Sequence, residues 1–281
     1  MRKIALTIVT IIVATMNLEA QNTLGVTGGF GSGGESIYPV VEGRTLYGLS
    51  NFGITWRNYS KTDIVGCFGI DLEYMQRGFS FSPYASSVPE GETLYYYTRR
   101  INSIMLPIVW QPHVYMFDRR VRVFLEAAAT FNYDLNSTYS NDYQRNIDES
   151  AGLESDDWEG VYEYMTSRDN RFGYGLAGGG GISLLGGKYE IMARIRYYYG
   201  FSDVVRNRNK YYSNNMDGSE NPFILTPTRS PLNNLFINFG ISYHFGPEGF
   251  LSWDEVKVKT PSMGKGFDYK GEVKDNNKNR R

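Results

Sequence analysis

Residues 121–134 read Val-Arg-Val-Phe-Leu-Glu-Ala-Ala-Ala-Thr-Phe-Asn-Tyr-Asp, and their alternation decides the fold. Val121, Val123, Leu125, Ala127, Ala129, Phe131 and Tyr133 fall on one face of an extended chain, opposite Arg122, Phe124, Glu126, Ala128, Thr130, Asn132 and Asp134. Successive side chains of a strand point to opposite faces, so period two over this length means a strand with one apolar face and one largely polar face. Residues 189–201 repeat the pattern, with Tyr189, Ile191, Ala193, Ile195, Tyr197, Tyr199 and Phe201 against Glu190, Met192, Arg194, Arg196 and Tyr198. So do residues 235–245, from Leu235 and Ile237 through Phe245. Each is long enough to cross a bilayer as a tilted strand.

Weaker alternation over 22–32, 46–57, 64–79, 98–110 and 171–185 brings the expected strands to eight, with Pro107 marking a strand end or a bulge. The links between them alternate in length: long at 33–45, 80–97, 135–170 and 202–234, short at 58–63, 111–120 and 186–188. A soluble eight-stranded barrel has no reason to keep that rule. An outer-membrane barrel does, with tight periplasmic turns, long extracellular loops and both chain ends in the periplasm. The aromatic residues form two expected girdles, which membrane interfaces favour. Trp56, Phe68, Trp110, Tyr189, Tyr243 and Phe245 stand at the periplasmic level, and Phe30, Tyr74, Tyr133, Phe172, Tyr174 and Phe201 at the outer level. The expected fold is therefore all-β: an eight-stranded antiparallel up-and-down transmembrane β-barrel with long extracellular loops.

Composition narrows the function. With 29 basic and 30 acidic side chains among 281 residues, the chain lacks the basic field that nucleic-acid binding requires. One cysteine, Cys67, and two histidines, His113 and His244, exclude an internal disulfide and a Cys/His zinc cage, and no cofactor is expected. Arg2 and Lys3 precede an apolar run from Ile4 to Met16, with a small residue at Ala20, so residues 1–20 read as a signal peptide. The barrel is assigned to 21–245 and a partly disordered periplasmic tail to 246–281.

The polar faces point inward, which predicts a lumen charge network of Asp71, Glu73, Arg77, Arg122, Glu126, Glu190, Arg194 and Arg196. An eight-stranded barrel holds side chains but no water channel, so these charges are expected to pair, with a narrow ion path or a catalytic carboxylate pair as the alternative reading. Gly and Ala over 173–183 leave room for the neighbouring arginines. Gly29-Phe30-Gly31-Ser32-Gly33-Gly34 matches a dinucleotide fingerprint by letter, but no helix follows, and it reads as a glycine-rich strand end. His113 reads as a surface turn and His244 as a wall residue, neither well placed for a lipid hydrolase.

Outside the barrel, the loop from Asn141 to Asn170 carries nine acids against Arg145 and Arg168 without EF-hand spacing. It reads as a solvated loop in which Asp156, Asp157 and Trp158, near Tyr162 and Tyr164, are candidate partner contacts. In the tail, Phe250 and Trp253 are candidate docking residues.

Residues 101–133, Ile-Asn-Ser-Ile-Met-Leu-Pro-Ile-Val-Trp followed after a turn by Arg-Val-Phe-Leu-Glu-Ala-Ala-Ala, resemble two consecutive strands of the PorT-type outer-membrane barrels of Bacteroidetes. Gly173–Gly181, Arg194-Ile195-Arg196-Tyr197 with Gly200, and Asn238–Phe245 resemble that family's last three strands. Ile104, Met105 and Leu106 stand where the family carries a Glu before its Ile-Pro pair. The resemblance implies an eight-stranded outer-membrane barrel, and the family's named member takes part in type IX protein secretion. The expected function is non-enzymatic binding or assembly at the cell envelope. Outer-membrane lipid, lipopolysaccharide and envelope or secretion proteins are the expected partners. A small lipid-modifying enzyme and a narrow selective channel remain the alternatives.

Overall fold

The computed structural model describes residues 21–35, 43–59, 66–82, 96–117, 119–152, 158–167, 169–206 and 230–245. Residues 1–20, read above as a signal peptide, the segment 246–281 with Phe250 and Trp253, and Asp156 and Asp157 lie outside the described residues.

Eight long strands form the wall: β1 (Gln21–Glu35), β3 (Leu46–Tyr59), β4 (Cys67–Phe81), β5 (Tyr97–Gln111), β7 (Val121–Asn141), β9 (Phe172–Gly186), β10 (Tyr189–Asp203) and β11 (Pro231–Phe245). Among the described residues three short strands, β2 (Gly43–Arg44), β6 (His113–Met116) and β8 (Glu159–Val161), and one helix, α1 (Asp142–Ala151), hang on its ends. Each long strand pairs antiparallel with its neighbours in the wall, and β1 pairs with both β3 and β11, closing the barrel. Closure leaves the wall without an edge, so the backbone N–H and C=O groups at membrane depth find partners in the sheet except beside Pro107.

Alternation in the chain becomes inside and outside in the barrel. Glu190, Met192, Arg194, Arg196 and Tyr198 of β10 are buried, while Tyr189, Ile191, Ile195, Tyr197 and Tyr199 face outward. The outward band continues around the wall through Leu72, Ile108, Leu125, Ile182, Phe239 and Leu24. At one end Phe68 lies opposite Trp110 and Tyr189 opposite Tyr243; at the other, Tyr174 and Phe201 have ring centroids 6.2 Å apart. The two girdles expected from sequence are in place.

Pro107 departs from expectation. It lies well inside β5, paired with Thr130 of β7, in neither a strand end nor a bulge. Its missing N–H is felt on the other side, where the ladder to β4 passes from Ile70↔Ile108 to Glu73↔Met105 with no partners between, yet the register is unchanged. In a closed wall the flanking pairs hold the strand across one lost bond. The bulges fall elsewhere, at Gly31/Ser32 and Asn102/Ser103. His113 also departs from expectation: instead of lying in an exposed turn it is buried, with its ring edge-on to those of Tyr59 and Tyr115.

Short links and both barrel ends share one mouth, where Asn22 pairs with Phe245 and Gln21 with Tyr59. At the opposite mouth β7 stays paired with β5 to Asn141 but runs past β9, whose ladder ends at Tyr133↔Phe172, and β8 adds to the length left free on that side. An arginine placed on the lipid face should be costly at mid-band and cheap at the rim. Ile108→Arg is expected to lower unfolding free energy in bilayers by about 2–4 kcal/mol, and Asn102→Arg by about 0–1 kcal/mol, measured by denaturant titration.

Candidate functional site: the filled lumen

Glycine creates the space in which the charges sit. A Cβ at Gly69 would fall 2.8 Å from Arg57 Nη1, one at Gly53 2.9 Å from Glu73 Cγ, and one at Gly181 2.8 Å from Phe124 Cζ. The inner faces of β1 and β9 are largely bare, and long side chains from β3, β4, β7 and β10 fill the bore.

At mid-height Arg57, Arg194 and Arg196 meet Asp71, Glu73 and Glu126. Arg196 Nε donates to Glu126 Oε2 at 2.9 Å, and its Nη1 to Asp71 Oδ2 at 3.0 Å and Glu73 Oε1 at 3.1 Å. Arg194 Nη2 donates to Glu73 Oε1 at 2.8 Å and its Nη1 lies 3.3 Å from Asp71 Oδ2. Arg57 forks onto Asp71 through both terminal nitrogens and donates from Nε to Gln111 Oε1 at 3.1 Å. The Tyr198 hydroxyl closes the cluster from above, donating to Glu73 Oε2 at 2.6 Å. All six charged side chains are buried. Removing ions from water costs several kcal/mol each, which mutual attraction and hydrogen bonds repay only when the geometry is complete.

The eight residues expected to form one network divide among three levels. Asp71, Glu73, Glu126, Arg194 and Arg196 form the central cluster. Arg122 and Glu190 pair separately toward the mouth that holds the chain ends, where Arg122 Nη2 also donates to the Tyr59 hydroxyl at 2.6 Å and His244 Nε2 lies 3.3 Å from Glu190 Oε2. Arg77 stands toward the opposite mouth, 3.9 Å from Asp134 Oδ1. The network divides where inward positions are four residues, roughly 13 Å, apart along a strand: Arg122 from Glu126, Glu190 from Arg194 and Arg77 from Glu73.

Arg57, Asp134, Tyr198 and Arg99 complete the lumen and were missed as a group. The signal was present: Arg57 continues the small and polar face of Asn51, Gly53 and Thr55, and Asp134 shares a face with Arg122 and Glu126. Among the described residues the buried charges are then Arg57, Arg77, Arg99, Arg122, Arg194 and Arg196 against Asp71, Glu73, Glu126, Asp134, Asp169 and Glu190, a neutral interior.

The mouth opposite the chain ends is plugged by chain rather than by charge. Phe79, Phe81, Tyr97, Ile101, Val204, Val205 and Leu232 pack around Tyr162. The strap 162–167 turns back on itself because Asp169 accepts from the Tyr162 hydroxyl at 2.9 Å and from the Met165 backbone N–H at 2.8 Å. Beneath it the Arg99 guanidinium lies 3.5 Å from the Tyr162 ring centroid and 5.1 Å from that of Tyr164. Burial, with Asp134 adding to it, pushes the Tyr164 phenol up to about 12, so it meets Arg99 as a neutral ring. The acidic segment is thus no wholly solvated loop: Tyr162 is core, and Trp158 is half-buried, its carbonyl accepting from the Asn141 N–H at 2.7 Å and its ring 5.7 Å from the Arg145 guanidinium.

Residues 19–206 match the profile of the outer membrane protein beta-barrel domain family. The chain belongs to that family. It is an outer-membrane β-barrel protein. Similar solved structures include Ail, the attachment invasion locus protein of Yersinia pestis, at 12% identity over 81% of this chain and 100% of that one, with a TM-score of 0.35. The N-terminal barrel domain of Pseudomonas aeruginosa OprF is 10% identical over 80% of this chain and 99% of that one, with a TM-score of 0.27. The translocator domain of the autotransporter NalP from Neisseria meningitidis is 8% identical over 87% and 95%, with a TM-score of 0.28. No curated protein matches the chain.

Deleting one partner of the central cluster strands several others. Arg196→Met is expected to cost about 3–5 kcal/mol in detergent-based unfolding, with Glu126→Met added to it recovering part of the loss. Arg99→Met removes the cation beneath Tyr162, a contact worth about 2 kcal/mol when desolvated. The strap should then open more often, and limited proteolysis within 162–167 should run about thirtyfold faster while the wall stays intact.

Proposed function

We propose that this protein is a sealed outer-membrane barrel that works in binding or assembly at the cell envelope through surfaces beyond the bilayer, neither conducting ions nor catalysing a reaction. The observation that carries this reading is the central cluster. Three arginines and three carboxylates, with Tyr198 over them, occupy the bore at mid-height, and the Tyr162 strap fills the mouth above. Eight strands enclose room for side chains and no more. Both histidines are committed to the interior, His244 to Glu190 and His113 against Tyr59, which removes the residues best suited to activate a nucleophile from the lipid-facing surface.

The long strand extensions and α1 gather at one mouth and the short links at the other, which supports a barrel with its chain ends in the periplasm, delivered by a signal peptide at 1–20. The likeness of 101–133 and the last three strands to PorT-type barrels of Bacteroidetes supports a place among type IX secretion or related envelope components, with the tail at 246–281 as the periplasmic contact and lipopolysaccharide as the lipid neighbour outside.

In planar bilayers the purified protein is expected to show no conductance steps; discrete openings would overturn the sealed reading. On intact cells a membrane-impermeant maleimide should label Glu159→Cys and leave Lys188→Cys unlabelled, and the reverse pattern would invert the topology. Crosslinking from solubilised outer membrane, comparing full chain with a truncation after Phe245, should recover secretion or envelope proteins only when the tail is present. Recovery that does not depend on the tail would move the interface to the outer surface.

A further inference from the structure

Above the lipid-facing band, β5, β7 and β8 form a shallow sheet whose outward face is concave, enclosing a groove of about 510 Å³. Two cross-strand rows make its floor: Arg100, Thr138 and Val161 in one, Thr98, Ser140 and Glu159 in the next. The Asn102–Asn136 amide pair, at 2.6 Å, separates the groove from Ile104 and Tyr133, where the apolar band ends. Arg100 is four residues beyond Ile104, so at roughly 3.3 Å per residue and a strand tilt of about 40° it stands about 10 Å above the band. That is the level of headgroup phosphates and the sugars that continue beyond them.

Among the described residues Arg100 is also the arginine at this end that the fold leaves uncommitted. Arg44 lies 4.0 Å from Asp142 and over the Tyr96 ring, Arg145 bonds Glu149, and Arg171 donates to the Asp134 and Leu135 carbonyls. Arg77, Arg99 and Arg206 are likewise held, by Asp134, Ser137 and the Asp169 carbonyl. Arg100 is exposed and makes no ion pair among the described residues. An isolated guanidinium suits a phosphate. Glu159 in the adjoining row would repel a bare phosphate but accepts from sugar hydroxyls, and the Thr138 and Ser140 hydroxyls serve the same purpose.

We propose that this groove binds the phosphorylated sugar headgroup of an outer-leaflet glycolipid of the lipopolysaccharide type, with Arg100 on a phosphate and Glu159, Thr138 and Ser140 on sugar hydroxyls. The proposal rests on the outward orientation argued above. Its test is binding of short-chain lipopolysaccharide to the full-length protein in phosphatidylcholine bicelles. Arg100→Gln should weaken binding about tenfold, as loss of a charge-assisted hydrogen bond does, while Arg145→Gln on α1 leaves it unchanged. Phosphatase-treated lipopolysaccharide should bind the unaltered protein as weakly as the intact lipid binds Arg100→Gln. Thr138→Trp fills the groove without changing charge and should weaken binding as much. Equal binding by Arg100→Gln and the unaltered protein, or competition by inorganic phosphate at the same concentration as lipopolysaccharide, would overturn the site. Bicelles are indifferent to which mouth faces the cell exterior, so failure here removes the groove alone, whereas a reversed maleimide pattern removes the orientation.

Discussion

A closed wall of eight strands has no room for water at its centre, so every charge turned inward must be neutralised by another. The rest of the structure follows from meeting that demand at mid-height, where Arg57, Arg194 and Arg196 are interleaved with Asp71, Glu73 and Glu126. Such a cluster contributes little net stability, because desolvation consumes most of the attraction. What it contributes is register. A slip of one residue between β10 and its neighbours would turn Arg194 and Arg196 into the lipid at a cost of about 2–4 kcal/mol each, and would strip Glu73 of Arg194, Arg196 and Tyr198 together. An interior of leucine would penalise the slip far less, since leucine is at home on either face.

The cluster in turn depends on what is missing beside it. Guanidinium groups from β3 and β10 reach across the bore because Gly69 and Gly53 on neighbouring strands present no side chain where Arg57 and Glu73 lie. Glycine normally weakens a strand. Here the loss is offset by the neighbouring ladders of a wall without edges, the same circumstance that lets Pro107 sit mid-strand with the register intact. Residues that would be faults in an open sheet become packing choices in a closed one.

Legibility from sequence follows the same division. Alternation over 121–134, 189–201 and 235–245 carries strand identity, facing and topology without ambiguity, because one face must meet lipid and the other must not. The link lengths carry the two ends. Inward charges were readable as a class, since Glu126 and Arg196 sit on polar faces. Their partners were not, since partnership depends on how far strands are staggered around the wall: Arg122 meets Glu190, not its near neighbour Glu126, and Arg77 meets Asp134. Arg57 was passed over because the adjacent Trp56 marked the strand as ending, although the ladder runs on to Tyr59. The burial of Tyr162 was hidden for a different reason. A segment with nine acids reads as solvated, and nothing local shows that Asp169 folds the strap so that Tyr162 lands on Arg99.

These features divide the molecule's work by height. Below the girdle at the mouth that carries β8 each inward charge is bound to another, so a substitution there is felt as stability and is poorly suited to evolving a ligand. Above the girdle the demand relaxes, because water can solvate what the wall does not pair. There β7 runs past β9, the strap closes the bore, and Arg100 stands on the outward face of the wall with no ion pair among the described residues. A charge kept unpaired is costly only where it is dry. At the level of Arg100 it costs little to keep and remains free to meet whatever anion shares that layer, so recognition is expected on this rim and not in the bore.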